Sequence, residues 1–333
     1  MSDSAYMNAL QEQFGDLKYS NFTVQFMPPI IFVCGGPINS TPMSVRDHIF
    51  TYVAGHKPEL SDSLILAENF HDYFREGAYS DLMSFEDDIA NISTLVVICL
   101  ESAGSLVELG LFVNRKSLAQ KLHVVAPFEE IEGNERKNIP ARSSFIYLGP
   151  LEYLKKIDEA SVSVYPWPKS DRMKYDEVEL IYHDIHSRLK RVKKTERYNP
   201  ENTGHLAILI YEIILLSEPI KKSEIEWALY CMDIDVPQKI ITRLLYLLEK
   251  MKLTSSLSYS GTDYFYSRGH RESKLKFGIS ASGKIKDSMN IKVAIRQSYL
   301  SMDAKDMDET AKKKEKCSKS NQYRAWRGLE WSC

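Results

Sequence analysis

The stretch from Thr94 to Asn114 indicates the fold of this chain more clearly than any other stretch of the sequence. Leu95 to Leu100 is a continuous apolar run rich in β-branched residues, which is typical of a strand buried on both faces of a parallel sheet. A turn of small residues follows, and the sequence LVELGLFVN then predicts a mostly apolar helix. A buried parallel strand joined to a helix by a short turn indicates an α/β fold.

The turn between that strand and that helix is a candidate ligand site. In open α/β sheets, ligands bind beyond the carboxyl ends of the strands, where the next helix exposes backbone N–H groups. Gly104 lets the backbone approach an anion closely, while Ser102 and Ser105 can cap the helix or bind a phosphate. Glu108, one turn further on, would point back toward the same place. The alternative is a solvated helix carboxylate with ordinary capping serines.

Strands and helices alternate on both sides of this stretch. The predicted strands are 30–36, 63–67, 95–100, 121–126 and 144–148, and the predicted helices are 44–54, one within 73–94, 106–113 and one from 149 on. This order predicts a flavodoxin-like or Rossmann-like sandwich over residues 29–160, with a parallel sheet of roughly five strands.

Two further features of this half are candidate binding elements. Gly35 and Gly36 end the first strand and form a possible phosphate loop, although many strands end in glycine only to turn. Glu86, Asp87 and Asp88 lie in a predicted helix. Three adjacent acids are usually a solvated face, which we favour; the functional alternative is that Glu86 or Asp87 orients a base or a ribose hydroxyl.

The second half of the chain changes to compact helices. Three apolar helices between Gly204 and Lys252 precede an alternating segment with a Ser-Gly-Thr-Asp turn, which predicts a β-hairpin. This is the order of a winged helix-turn-helix, so we predict a mainly α domain of that type over residues 201–295. The candidate phosphate contacts are basic residues of the third helix and of the segment after the hairpin: Lys239, Arg243, Lys250, Arg268 and Arg271. The alternative is a winged helix used only for protein packing.

The remaining segments complete the predicted domain organisation. Residues 1–28 predict an N-terminal leader helix and linker, residues 161–200 a linker region with one basic amphipathic helix, and residues 296–333 a basic and aromatic tail. The KKKEK run from Lys312 to Lys316 would suit a disordered polybasic arm. The aromatic residues after it would suit stacking on single-stranded bases or a docked terminal helix.

Composition narrows the class of protein. Residues 200–333 carry 22 basic against 17 acidic side chains, whereas residues 1–199 carry 21 against 28, and a more basic second half favours polyanionic partners. Five scattered cysteines without a CxxC pair fit a reduced cytoplasmic protein. No signal peptide or membrane span is predicted. His183 and His186 lack a third ligand, so no metal site is predicted.

Four separated motifs carry a resemblance to a known family. ESAGSLVELGLFVN, the upstream IIFVCGG and SFEDDIA, and the downstream SFIYLGPLEYLKK occur in the same order in nucleoside 2-deoxyribosyltransferase-like effectors of bacterial retrons. The chain resembles these proteins, and the wider N-glycosidase superfamily, over roughly residues 28–160. The winged-helix half is similar to the effector's second domain in its placement.

The resemblance implies a chemistry and assigns roles. Glu108 corresponds to the family carboxylate that attacks or stabilises the anomeric carbon while the N-glycosidic bond breaks. Ser102, Gly104 and Ser105 match phosphate and ribose binders, and Gly35 with Gly36 matches the first-strand loop. Asn114 matches a residue that reaches the sugar bound by a neighbouring subunit.

The resemblance also implies substrates and partners. It predicts a toxin that hydrolyses NAD, or next a nucleoside monophosphate or deoxynucleotide, without a cofactor. The toxin would be restrained by the retron reverse transcriptase and its RNA-linked single-stranded DNA, in an oligomer or a higher-order assembly. Thr94, Leu100 and Ala103 depart from the family, where Asp, Pro and Pro are common, and the missing Asp removes one predicted contact to the base.

Two other functions fit the same residues. One is a winged-helix transcriptional regulator whose α/β domain binds a nucleotide without cleaving it. The other is a phosphoribohydrolase of the lysine-decarboxylase-like kind, which shares a Gly-rich turn and a helix glutamate. The absence of the PGGxGTxxE motif argues against the second.

Overall fold

The described residues fall into two compact units. The computed structural model describes residues 5–66, 77–128, 144–168, 174–268, 272–300 and 312–316. Those of 26–75 and 81–194 form one unit, called here the α/β unit, and those of 1–25, 76–80 and 195–333 form the other, called the helical unit.

Elements are numbered along the whole chain. The strands are β1 Thr23–Gln25, β2 Ile31–Cys34, β3 Leu64–Ile65, β4 Leu95–Cys99, β5 Leu122–Pro127, β6 Val162–Tyr165, β7 Thr195–Arg197, β8 Thr254–Tyr259, β9 Thr262–Ser267 and β10 Leu275–Lys276. The helices of four residues or more are α1 Ala5–Phe14, α2 Val45–His56, α3 Pro58–Ser61, α4 Leu82–Ile92, α5 Ala103–Val113, α6 Lys116–Ala119, α7 Glu152–Ile157, α8 Val178–Arg191, α9 Thr203–Ser217, α10 Lys222–Cys231, α11 Gln238–Lys250 and α12 Ser288–Leu300.

The α/β unit is built on a parallel sheet of five strands in the order β3-β2-β4-β5-β6. Successive residues of a strand point to opposite faces of the sheet. Alternate residues of β2 and β4, among them Val33 and Cys99, pack into a core with residues of α2 and α8. The intervening residues, such as Cys34, therefore face the other side. The predicted α/β class and parallel sheet are confirmed.

The predicted strand at 144–148 is wrong. Ser144–Ile146 is helical and Tyr147–Leu151 forms a π-helical turn that runs into α7. Phe145 and Leu148 are exposed, so these apolar residues do not line a buried face of the sheet. The fifth strand is instead β6, which pairs with β5. A short apolar run does not distinguish a strand from a helix, and the exposure of this one resolves the ambiguity.

The segment predicted as a linker, residues 161–200, supplies two structural elements of the α/β unit. β6 forms one edge of the sheet, and α8 buries Ile181 and Ile185 in the core. The Asp184 carboxylate joins the two elements, because it accepts hydrogen bonds from Ser163 at 2.6 Å and from Tyr165 at 2.7 Å.

The helical unit contains the predicted three helices and hairpin. Helices α9, α10 and α11 are followed by the antiparallel hairpin β8–β9. Ser260 and Gly261 form its turn with φ values of 51° and 72°, as a two-residue I′ turn requires. Ile220, before α10, bridges to Phe265 of the hairpin. The winged-helix assignment itself stays a prediction.

The N-terminal residues are a structural part of the helical unit. α1 buries Tyr6, Leu10 and Phe14 and packs against α10 and α12. β1 is the central strand of a small antiparallel sheet, between β10 and β7. The predicted leader helix exists, but its buried face joins it to the core of this unit.

Two possibilities were predicted for the tail, a disordered polybasic arm and a docked terminal helix, and residues 312–316 agree with the second. These residues are helical, and the side chain of Lys314 is fully buried. Its Nζ donates to the Pro219 carbonyl at 2.6 Å and to Glu224 Oε2 at 2.7 Å, and it lies 3.6 Å from the centre of the Tyr6 ring. A carboxylate, a carbonyl and an aromatic face compensate the buried charge. The aromatic residues predicted to stack on bases, Tyr323, Trp326 and Trp331, lie outside the described residues.

Candidate functional site at the carboxyl edge of the sheet

Three ionisable side chains from different helices act electrostatically on Cys34 at the end of β2. Burial raises the pKa of the Cys34 thiol well above its usual value, the negative charges of Glu108 and Glu86 raise it further, and Arg46 lowers it. The Cys34 thiol also hydrogen-bonds the Glu108 carboxylate. Since such effects require proximity, helices α2, α4 and α5 bring Arg46, Glu86 and Glu108 together at the carboxyl edge of the sheet.

The position of Glu108 follows from its place in α5. The helix begins directly after β4, and Glu108 lies in its second turn, where a side chain leans toward the N-terminus. The residue is half-buried, and its Oε2 atom is shielded from solvent. Glu108 is therefore held in a partly desolvated position next to Cys34, which is not the environment of a solvated surface carboxylate.

The acidic run in α4 is not the solvated face that we favoured. Glu86 and Asp88 are buried, and Asp87 forms an ion pair with Arg115. Glu86 lies in the turn that follows Asp81, whose side chain caps the helix by accepting from the Ser84 N–H at 2.7 Å. The sequence could not separate the two faces, because adjacent residues of a helix point about 100° apart and all three residues are acidic.

Two serines form a capping box at the N-terminus of α5. The Ser102 side chain accepts from the Ser105 N–H, and the Ser105 side chain accepts from the Ser102 N–H, both at 3.1 Å. Ser105 is buried, whereas Ala103 and Gly104 are exposed. No described residue accepts a hydrogen bond from the backbone N–H of Ala103 or Gly104. The predicted capping role of the two serines is therefore present.

Glu101 is a site residue that the sequence reasoning missed. It follows β4, and its carboxylate accepts three backbone N–H groups: Gly36 at 2.7 Å, Val45 at 2.7 Å and Arg46 at 3.1 Å. Two of these donors belong to the first turn of α2, where a helix favours negative charge. A single glutamate between a strand and a turn belongs to no recognisable sequence motif, so its contacts could be identified only from the structure.

The glycines after β2 pack closely against that carboxylate. A Cβ atom on Gly35 would lie 2.8 Å from Glu101 Oε1, and one on Gly36 would lie 2.9 Å from the Ser44 Cβ and 3.0 Å from the Glu101 Cδ. A larger residue at either position would therefore require the Glu101 side chain or Ser44 to shift. The predicted phosphate loop thus contacts an anion, but that anion is the chain's own Glu101.

Asn114 and Thr94 lie away from this edge. Asn114 is exposed at the C-terminal end of α5, where its side chain donates to the Gly110 carbonyl at 2.9 Å, about 18 Å from Ser102 along the helix. Thr94 precedes β4 at the opposite end of the sheet. Its hydroxyl donates to the Phe26 carbonyl and accepts from the Ile30 N–H. The Thr94 side chain therefore stabilises the backbone at Phe26 and Ile30 and does not face the site.

The predicted nucleic-acid contacts differ in exposure. Lys239 and Arg268 are exposed, whereas Arg243 and Lys250 are half-buried. The Arg243 guanidinium lies 5.8 Å from the centre of the Tyr79 ring, and the Lys250 ammonium lies 5.1 Å from that of Tyr246. Arg271 lies outside the described residues.

Other candidate centres give no site. In the described ranges, no three His, Cys, Asp or Glu side chains are placed to hold a metal ion. His183 is exposed beside Glu179, and the His186 ring stacks on Tyr182, so both are surface or packing histidines. Across the same ranges, each helix is too short or too polar to cross a bilayer.

The fold and the site define a parallel α/β protein with clustered acidic side chains at the carboxyl edge of its sheet. Residues 42–256, nearly two thirds of the chain, match the model of the family described as STM3845 retron effector protein. The chain belongs to that family. The predicted resemblance to retron effectors is thus confirmed, while the deoxyribosyltransferase-like and winged-helix parts stay predictions.

One curated relative is similar over part of the chain. It is the Escherichia coli protein named "Retron Ec86 putative ribosyltransferase/DNA-binding protein", which is 27% identical over 139 residues. The similarity covers 40% of this chain and 39% of the relative. The chain therefore spans about two fifths of the length of that relative.

Proposed function

We propose that this retron effector is an N-glycosidase that hydrolyses NAD to nicotinamide and ADP-ribose. The observation that carries the proposal is the half-buried Glu108, held beside Cys34 and Glu86 at the edge where α/β sheets bind ligands. A carboxylate beneath the anomeric carbon stabilises the positive charge that develops as the bond to the base breaks. The name of the Ec86 relative, which includes ribosyltransferase, supports this chemistry.

The other site residues have proposed roles in binding. Ser102, Gly104 and Ser105 would receive the phosphate and ribose at the first turn of α5, because the N-terminus of a helix favours an anion. Glu86 would bind a ribose hydroxyl from α4. Asn114 lies at the far end of α5, so the proposed contact to sugar requires a neighbouring subunit. The reaction uses water as co-substrate and no cofactor.

The helical unit would connect this enzyme to the retron. Its proposed partners are the retron reverse transcriptase and the RNA-linked single-stranded DNA, which would hold the toxin inactive until infection. Membership of the retron effector family and the DNA-binding part of the relative's name support this proposal. A nucleotide-sensing regulator remains the second candidate, and the absence of turnover would favour it.

Base release by purified protein tests the catalytic assignment. We expect the wild type to release nicotinamide from NAD, or a free base from a panel of ribo- and deoxynucleotides. Glu108→Gln keeps the shape of the side chain but loses its charge, so we expect release to fall by at least about 10³-fold. Far-ultraviolet circular dichroism and the thermal midpoint of unfolding should stay unchanged.

The control is Glu159→Ala, an exposed carboxylate of the same unit, which should retain full activity. The assay is repeated in the presence of the cognate retron complex and its trigger, because an inhibited toxin would be silent alone. Full activity in Glu108→Gln would refute the role of Glu108. Silence of the wild type under both conditions would favour the regulator.

A further inference from the structure

We propose that Glu101 is a tethered anion that fills the anion-binding position at the N-terminus of α2. Its carboxylate occupies the position where a phosphate would bind to the Gly35–Gly36 loop. It also holds that loop in place beside the site. The inference rests on the proposed function for the identity of the substrate, and it deepens that function because it states where the phosphate of a nucleotide does not bind.

The N–H groups of the first three residues of α2 already have acceptors. The N–H groups of Val45 and Arg46 donate to Glu101 at 2.7 and 3.1 Å. The Asp47 N–H donates to the Ser44 side chain and the His48 N–H to the Ser44 carbonyl, both at 3.0 Å. The His48 bond is the first one internal to the helix, whereas the N–H groups of Val45, Arg46 and Asp47 lack a partner within it and could bind an anion; the chain itself satisfies all three.

The loop offers no space either. Gly36 supplies a third N–H to the same carboxylate, and a Cβ added to either glycine would lie within 3.0 Å of a Glu101 side-chain atom. A phosphate would have to displace a carboxylate that is held by three hydrogen bonds and attached to the chain two residues after β4. Displacement would also leave that carboxylate without its donors, which makes the exchange unfavourable.

The charge of Glu101 has a second effect on the site. Its backbone donor Arg46 is buried and acts electrostatically on Cys34 and Cys99. Glu101 fixes the backbone of Arg46 and thus the start of the helix that carries this cation. We therefore assign Glu101 as a positioning residue that acts through Arg46 and the glycine loop.

Removal of the side chain gives a direct test, because Glu101→Ala deletes the atoms of one acetate ion. We expect the thermal midpoint of Glu101→Ala to fall by roughly 5 °C or more, since three part-buried N–H groups lose their acceptor. Sodium acetate or inorganic phosphate at about 100 mM should then restore at least half of the loss, relative to chloride at equal ionic strength. Wild type and Glu159→Ala should show no such acetate effect.

The outcome separates a tethered anion from an ordinary buried side chain. A purely structural side chain would give a destabilised variant that acetate does not rescue, and that result would overturn the proposal, as would an equal acetate effect in the wild type. If Glu101→Ala does not fold, Glu101→Gln fills the same space without charge; a midpoint equal to that of the wild type would then refute the role. These readouts need no substrate, so they hold whether or not NAD is cleaved.

Discussion

His123 is a buried ionisable group of the α/β unit. It lies on β5 and is inaccessible to solvent, with Nδ1 3.1 Å from the Ala160 carbonyl and Nε2 3.4 Å from the Ser163 hydroxyl. Burial lowers its pKa from 6.5 to about 4, against the opposing effect of the hydrogen bond to Ala160. The folded unit therefore keeps His123 neutral at a pH where the unfolded chain would protonate it.

We predict that this histidine makes the α/β unit acid-sensitive. Above pH 6.5 both states are neutral, so its contribution is fully present; as pH falls from 6.5 toward 4 the unfolded state gains a proton that the folded state does not, and stability falls. The expected loss is about 2–3 kcal/mol by about pH 4.5. Urea unfolding at about pH 7 and about pH 4.5 measures it.

The matched variant is His123→Asn, whose amide can still donate to the Ala160 carbonyl but does not titrate. Other groups contribute equally to both proteins, so the difference between their acid-induced losses isolates His123. We expect Asn to be less stable than the wild type at neutral pH, because the smaller side chain leaves a space in the core. Equal losses between the two pH values would contradict the prediction.

At the scale of elements, helices and strands with a clear pattern of apolar residues could be predicted from the sequence. Features that depend on contacts between distant parts of the chain could not. Strand β4 and helix α5 were predictable, because a buried apolar run and a capped helix are local patterns. The burial of Glu86 was not, because it depends on what covers one face of α4. The helical turns at 144–151 were not predictable either, because a short apolar run has no period that distinguishes strand from helix.

Helix α11 is the element on which the proposed nucleic-acid contact depends. Arg243 and Lys250 lie beside Tyr79 and Tyr246, and Lys239 is exposed on the same helix. Half-buried cations over aromatic rings stabilise packing, whereas exposed ones remain available to phosphates. The four described candidates therefore separate into two structural residues and two, Lys239 and Arg268, that suit binding.

We predict that Lys239→Ala combined with Arg268→Ala weakens binding to DNA without a change in thermal midpoint. Each lost phosphate contact should lower the slope of log affinity against log salt by about 0.7 for single strands, so the double variant should lose about 1.4. Fluorescence anisotropy with a labelled single-stranded oligonucleotide across a salt series measures it. Arg243→Ala is the matched variant, and it should lower the thermal midpoint. An unchanged salt slope in the double variant would exclude these residues as contacts.

At the scale of the whole molecule, the chain order does not match the division into units. Residues 1–25 belong to the helical unit, which, apart from the short segment 76–80, continues at residue 195. Strand β1 pairs with β7, and Gln25 lies opposite Thr195 in that antiparallel pair. The α/β unit is in this sense inserted between two adjacent strands of the helical unit. A sequence pattern could not reveal this, because the pairing spans about 170 residues of intervening chain.

This connectivity predicts which fragments fold. We expect a fragment of residues 195–333 to lack a cooperative unfolding transition, because it loses α1 with its buried Tyr6, Leu10 and Phe14 and the central strand β1. Full burial of each such side chain contributes about 2–3 kcal/mol, and the three together approach the total stability of a typical domain.

Joining Gln25 to Thr195 through a two-residue Asn-Gly turn should restore folding, since that turn closes antiparallel strands. Circular dichroism during urea unfolding compares the two proteins, with Tyr6→Ala in the fused chain as a graded control expected to cost about 3–4 kcal/mol. An equally cooperative transition of residues 195–333 alone would show that the N-terminal residues are only an appendage of the unit.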